Sequence, residues 1–233
     1  YIPMHALVIK TSVLKDNNIV IDEKCFYVDV EYVMFPVPFV NKVTFFDLHV
    51  YMYRLALSTQ SVSILGFQKH INDHLRVTFH MFDFYRDYIS SDKADSAKAD
   101  YMRTCIADLI ITQSAIYSSY PDSDMENRKR FMEFDRKAKE LSPEIYELSS
   151  VKSGKLRLLR KYNFKHYRLI QSLSRLHFKM TNKENTYCLK AVRTRSVSKG
   201  ADGFCRSSDY QLFSDVYEIR VFNGVRLYQI FNG

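Results

Sequence analysis

The chain has 233 residues, of which 46% are hydrophobic and 15% aromatic, so it is long and apolar enough to bury the core of one large domain or two small ones. Only 6 glycines and 5 prolines interrupt it, which favours long helices and argues against disorder as a description of the whole chain. Four widely spaced cysteines argue against a secreted disulfide scaffold and against a CxxC zinc or redox motif, and the net charge of +8 points to an acidic partner.

The first 40 residues alternate apolar and polar side chains, most clearly over residues 25–33. Asp16-Asn17-Asn18 is a turn signal between two such runs, and Pro36 and Pro38 end the region because proline cannot donate to a β-ladder. A period of two is typical of strands, so we expect β-structure at the N-terminus.

The period of the apolar positions changes to that of a helix from about residue 45 onwards. Ser90-Ser91-Asp92, Pro121-Asp122-Ser123 and Ser142-Pro143 are the signals that separate the helices. The pattern predicts helices near residues 45–58, 62–90, 94–118, 124–141 and 156–181.

Near the C-terminus, Asn223-Gly224 separates two apolar runs, residues 216–222 and 225–231. Asn-Gly between such runs is typical of a two-residue β-hairpin with a type I′ turn. The sequence therefore predicts an α+β fold with a mainly helical middle, about residues 45–181, strands at the N-terminus and a C-terminal β-hairpin.

Charge divides the chain into two regions near residue 150. Residues 1–150 hold 17 Lys and Arg against 21 Asp and Glu, a net charge of −4, whereas residues 151–233 hold 17 against 5, a net charge of +12. We expect a mildly acidic region of mixed strands and helices at 1–150 and a basic helix with the β-hairpin at 151–233, packed together as one domain. A field of one sign attracts nucleic acid, acidic lipid or an acidic protein.

The predicted helix 156–181 places cations on one stripe and apolar side chains such as Leu159 and Leu173 on the adjoining face. That apolar face suits core packing, and its alternating spacing of 3 and 4 would also suit self-association as a coiled coil. Tyrosines and phenylalanines interleave with the cations, as on surfaces that stack single-stranded bases. The residues predicted to contact phosphates are Lys155, Arg157, Arg160, Lys161, Lys165, Arg168, Arg175, Lys179, Lys190, Arg193, Arg195 and Lys199.

Motifs for catalysis and cofactors are missing from the sequence. No GxxxxGK[ST], GxGxxG or GxSxG string occurs, so we expect no catalytic residues and no cofactor. His70, His74 and His80 are the weak candidates for metal ligands, because His70 and His74 are one helical turn apart but lack the glutamate of HExxH. Dispersed carboxylates leave a metal-dependent nuclease open as a less favoured alternative.

These observations favour a non-enzymatic protein that binds RNA or DNA mainly through the phosphate backbone, and the lack of enzyme motifs suggests an origin in a virus or mobile element. The alternative is a structural or assembly protein that binds an acidic membrane surface or an acidic protein. With neither a signal peptide nor a transmembrane stretch in the sequence, we expect a soluble intracellular protein of the cytoplasm or nucleus.

Overall fold

The computed structural model describes residues 2–46, 61, 63–121, 123–173 and 227–231, which are mostly helical. The chain divides into two compact units, residues 1–153 with 219–233, and residues 154–218. The first unit contains, in chain order, β1 (Leu7–Ile9), α1 (Thr11–Asp16), α2 (Asp29–Met34), β2 (Lys42–Phe46), α3 (Ile64–Lys69), α4 (Ile71–Ile89), α5 (Ser96–Ser118), α6 (Met125–Leu141), α7 (Pro143–Lys152) and β3 (Leu227–Phe231).

The long helices begin where the sequence offers side-chain caps. Asp95 accepts a hydrogen bond from the backbone N–H of Lys98 at the start of α5, and Asp124 and Ser142 do the same at the starts of α6 and α7. Such caps satisfy N–H groups that the first turn of a helix leaves without a partner. The predicted helices 94–118 and 124–141 are thereby confirmed within two residues.

Helix α5 lies at the centre of the helical packing, against α4, α6 and α7. Its completely buried side chains include Ile106 and Ile110, and near its end Tyr117 stacks on Phe131 of α6 with ring centroids 5.3 Å apart. A helix that buries several faces needs apolar residues around most of its circumference. The core of the first unit is therefore built around α5.

The sheet has the strand order β1-β3-β2. Strand β3 runs parallel to β1, with Leu7 opposite Tyr228, and antiparallel to β2, with Lys42 opposite Phe231. Leu7 and Ile9 of β1 pack with Val13 of α1 in a small core cluster. Residues 216–222, the first predicted strand of the C-terminal hairpin, lie outside the described residues, so the hairpin stays a prediction.

The prediction of strands throughout the first 40 residues was wrong for most of that region. Residues 11–16 and 29–34 are helical, and the alternating run 25–33 becomes a turn followed by α2. Val30, Val33 and Met34 are buried in α2, at spacings of three and four that place them on one face of a helix. Long-range packing, which a local period does not report, selects the helix.

The predicted helices 62–90 and 45–58 also differ from the structure. The former is two helices, α3 and α4, which meet at His70. Of the latter, residues 45 and 46 belong to β2, and residues 47–58 lie outside the described residues.

In the second unit, the prediction of one continuous helix over 156–181 was wrong. Helix α8 (Gly154–Lys161) ends in a turn at residues 162–166, and helical structure resumes at 167–173. Asn163 and Phe164 have φ angles of 47° and 58°, and the N–H of Phe164 donates to the carbonyl of Leu159 at 2.8 Å. This is the left-handed ending common to helices, and asparagine is among the residues that adopt it most readily. Residues 174–181 lie outside the described residues.

Candidate polyanion-binding surface

The candidate surface is the stretch of residues 154–173, here called the basic segment. It contains six lysines and arginines and no aspartate or glutamate, so no carboxylate of the same segment neutralises these cations. Arginines of α6 differ in this respect, because Arg130 and Arg136 form ion pairs with Glu126 and Glu140 of the same helix. The residues of the basic segment therefore contribute positive charge alone.

Six of the twelve predicted phosphate contacts lie in the basic segment. Arg157, Lys161, Lys165 and Arg168 are exposed, whereas Lys155 and Arg160 are partly buried. The other six lie outside the described residues, and they are Arg175, Lys179, Lys190, Arg193, Arg195 and Lys199.

The break in the helix changes how the cations are arranged. Arg157 and Lys161 lie one turn apart on the same side of α8, while Lys165 belongs to the turn and Arg168 to the next helical stretch. The prediction of one straight cationic stripe along a single helix was therefore wrong. The exposed cations instead occupy two short helical stretches and the turn that joins them.

Tyr162 begins this turn and presents an exposed aromatic ring among the cations. The Nζ atom of Lys161 lies 5.7 Å from the centre of the Tyr162 ring, and the ring of His166 meets it edge-on at 5.2 Å. An exposed ring beside cations is a suitable platform for stacking a base or for packing against a lipid headgroup. The interleaving of aromatics and cations predicted from the sequence thus includes at least this exposed ring.

The apolar side of the basic segment differs from the predicted one. Leu156, Leu159, Phe164 and Tyr167 are buried, but Leu173, predicted to face the core, is 57% exposed. The left-handed residues of the turn rotate the second helical stretch, so the helical positions counted from α8 no longer apply. Exposed bulky apolar side chains consequently lie in the same short segment as the cations, and they are Leu158, Tyr162, Leu169 and Leu173.

The three histidines considered as metal ligands have separate surroundings. His70 faces Asp73, with 3.2 Å between Nδ1 and the carboxylate. His74 is buried, its Nδ1 lies 2.7 Å from Oε1 of Gln113, and burial lowers its pKa to about 4. Of the three, only His80 lies near two carboxylates, those of Asp22 and Glu31.

Asp22 and Glu31 were not singled out from the sequence. They lie 58 and 49 positions before His80, so no short motif links the three residues. One signal was available, since Glu31 interrupts the apolar run of residues 30–35 and a charged residue in such a run needs a partner. The identity of that partner depends on the tertiary structure.

Comparison of the chain with protein-family models, with curated protein sequences and with solved structures finds no match. None of the helices in the described part of the chain is long and apolar enough to cross a membrane.

Proposed function

We propose that the protein binds nucleic acid through the basic segment, with its cations on phosphates and Tyr162 stacking on a base where the strand is single. The observation that carries the proposal is the exposure of Arg157, Lys161, Lys165 and Arg168 in a segment without a single acid. Contacts of this kind neutralise phosphates and release counterions, which supplies affinity without reading the base sequence. Binding, and no chemical step, is the activity proposed.

The test replaces Arg157, Lys161, Lys165 and Arg168 together by glutamine. Fluorescence anisotropy with single-stranded RNA, single-stranded DNA and duplex DNA, each over a salt series, measures the affinity. We expect a loss of more than tenfold at fixed salt. Each lost phosphate contact should lower the slope of log K against log salt by about 0.7–0.9, so four contacts should remove about three units of slope.

A matched control removes the same formal charge from a helix of mixed sign. Lys129, Arg130, Arg136 and Lys139 are all exposed on α6 and are interspersed with acids. Their joint replacement by glutamine should change the affinity less than about twofold, because a locally neutralised surface attracts phosphates weakly. Equal losses in the two variants would show that only net charge matters and would contradict the assignment to the basic segment.

A second function, attachment to an acidic membrane surface, is favoured by one specific observation. Leu169 and Leu173 are 59% and 57% exposed, one helical turn apart and close in sequence to exposed cations. Cations beside exposed apolar side chains are the combination that interfacial segments use.

Replacing Leu169 and Leu173 by glutamine separates the two functions. The double variant should keep nucleic-acid affinity, because phosphate contacts do not use these side chains. If the membrane is the ligand, sedimentation with vesicles containing phosphatidylserine should fall several-fold in the same variant. The membrane function would be favoured if the parent binds the vesicles, if nucleic acid competes with this binding, and if the binding is lost when both leucines are replaced.

A further inference from the structure

Three potential metal ligands converge in the first unit, away in sequence from the basic segment. Asp22 lies in the loop after α1, Glu31 in α2 and His80 in α4. One ligand atom from each lies within 4.8 Å of the others, and among the described residues this is the one group of three or more His, Cys, Asp or Glu side chains so arranged. The distances from His80 Nδ1 are 3.1 Å to Oε1 of Glu31 and 3.9 Å to Oδ2 of Asp22.

Glu31 is the most constrained member of this group. Its side chain is completely buried, and its Oε2 accepts a hydrogen bond of 2.8 Å from the backbone N–H of Asp22. Burying a carboxylate is costly unless it is paired, and this bond leaves Oε1 directed towards His80. The loop that carries Asp22 is thereby attached to α2 at the point where the ligand atoms meet.

The charges of the group are only partly balanced by the protein. The Nε atom of Arg76 donates to Oδ2 of Asp22 at 2.8 Å, which orients that carboxylate and offsets one negative charge. The imidazole of His80 can place only one proton on Nδ1, yet carboxylate oxygens of both Asp22 and Glu31 lie close to that atom. A dication between the three atoms would interact favourably with all of them.

We propose that Asp22, Glu31 and His80 bind a first-row divalent transition ion of the Zn²⁺ type. Bonds of about 2.0–2.2 Å in tetrahedral or octahedral geometry place neighbouring donor atoms roughly 3.0–3.5 Å apart. The 3.1 Å between His80 and Glu31 meets this spacing, whereas the 3.9 Å between His80 and Asp22 requires the Asp22 carboxylate to move closer when the ion binds. Imidazole nitrogen favours such an ion over Mg²⁺ or Ca²⁺, which prefer oxygen donors alone. His80 is 41% exposed, so water can reach the ion and complete its coordination.

The test is isothermal titration calorimetry of the full chain. The protein is first treated with a chelator and then titrated with zinc chloride, and a parallel sample is titrated with magnesium chloride. His80→Asn is the main variant, because a half-exposed side chain can be exchanged without opening a buried cavity. We expect one zinc site in the parent that weakens at least about tenfold in this variant, and no magnesium binding. Asp22→Asn should weaken the same site.

The control is His70→Asn, which removes a histidine that also faces a carboxylate, Asp73, but lies outside the group of three. Its zinc affinity should equal that of the parent. Co²⁺ in place of Zn²⁺ reports the donors directly, because ligation by the cysteines produces an intense near-ultraviolet charge-transfer band and the proposed oxygen and nitrogen donors do not. A parent that does not bind zinc, a site unaffected by His80→Asn, or a cobalt spectrum with thiolate bands would overturn the proposal.

Discussion

The buried histidine of α4 should make the protein sensitive to mild acid. His74 lies inside the first unit between Gln113, with Nδ1 2.7 Å from Oε1, and the edge-on rings of Tyr27 and Phe67. Burial disfavours the imidazolium form and lowers the pKa from 6.5 to about 4. The folded protein therefore holds His74 neutral at pH values where the unfolded chain would protonate it.

The sign of the effect follows from which state takes up the proton first. Above pH 6.5 His74 is neutral in both states, and its contribution to the free energy of unfolding is fully present. As the pH falls from 6.5 towards 4, the unfolded state binds a proton that the folded state does not, so stability is lost at up to about 1.4 kcal/mol per pH unit. The whole interval corresponds to roughly 3 kcal/mol, a large share of the stability of a typical domain.

Urea unfolding followed by circular dichroism at half-unit steps from pH 4.5 to 7.5 measures this slope. His74→Asn keeps an N–H donor near the position of Nδ1 for Gln113 but does not titrate. The slope of its free energy of unfolding against pH should therefore be smaller than that of the parent, by up to about 1.4 kcal/mol per pH unit. Burial also lowers the pKa of His5. Its contribution to the pH dependence is the same in the parent and in His74→Asn, so it cancels when the two are compared.

The control for this experiment is His166→Asn, which replaces an exposed histidine of the basic segment. It should retain the pH dependence of the parent. If His74→Asn and the parent lose stability equally between pH 6.5 and 4.5, His74 is not held neutral by burial and the reasoning is refuted.

Three further predictions concern packing and caps. Phe131→Ala should lower the free energy of unfolding by about 3–5 kcal/mol in urea titrations, because the ring is completely buried, and a loss below about 1 kcal/mol would contradict its place in the core. Asp95→Ala should cost about 1 kcal/mol by the same measurement, since Asp95 caps α5, whereas Asp95→Asn should retain most of the stability. Leu156→Ala should lower the free energy of unfolding by about 2–5 kcal/mol, because Leu156 is buried. Leu173→Ala should lower it by less than about 0.5 kcal/mol, because Leu173 is exposed. Equal costs for the two leucines would indicate that Leu173 is buried as the helical period predicted.

Local sequence signals were sufficient for much of the helical part of the fold. The starts of α5 and α6 were predicted within two residues, because the caps Asp95 and Asp124 act on the backbone two or three residues away and need no distant partner. Helix α7, which Ser142 caps, was not predicted. The charge asymmetry is likewise a property of composition. The absence of acids from the basic segment could be read directly from the sequence.

Two errors came from extending a local period too far. The alternation over residues 25–33 suits a strand, but packing of Val30, Val33 and Met34 selects a helix. In the basic segment, the left-handed Asn163 and Phe164 end α8 and shift the register, so Leu173 is exposed instead of buried. A single turn is enough to move the side chains of residues 167–173 to another face. The burial of Phe164, which the period does not encode, offsets the strain of its left-handed backbone.

Composition and spacing by themselves determined that the protein is largely helical, where α5 and α6 begin and that its positive charge lies towards the C-terminal end. Only the tertiary structure decided the environments of the histidines, burying His74 beside Gln113 and bringing His80 to Asp22 and Glu31. The physical reason is range. Caps and periods act within a few residues, whereas a buried ionisable group takes side-chain partners from whatever elements pack against it. Gln113 lies 39 positions from His74, and His80 lies 49 positions from Glu31.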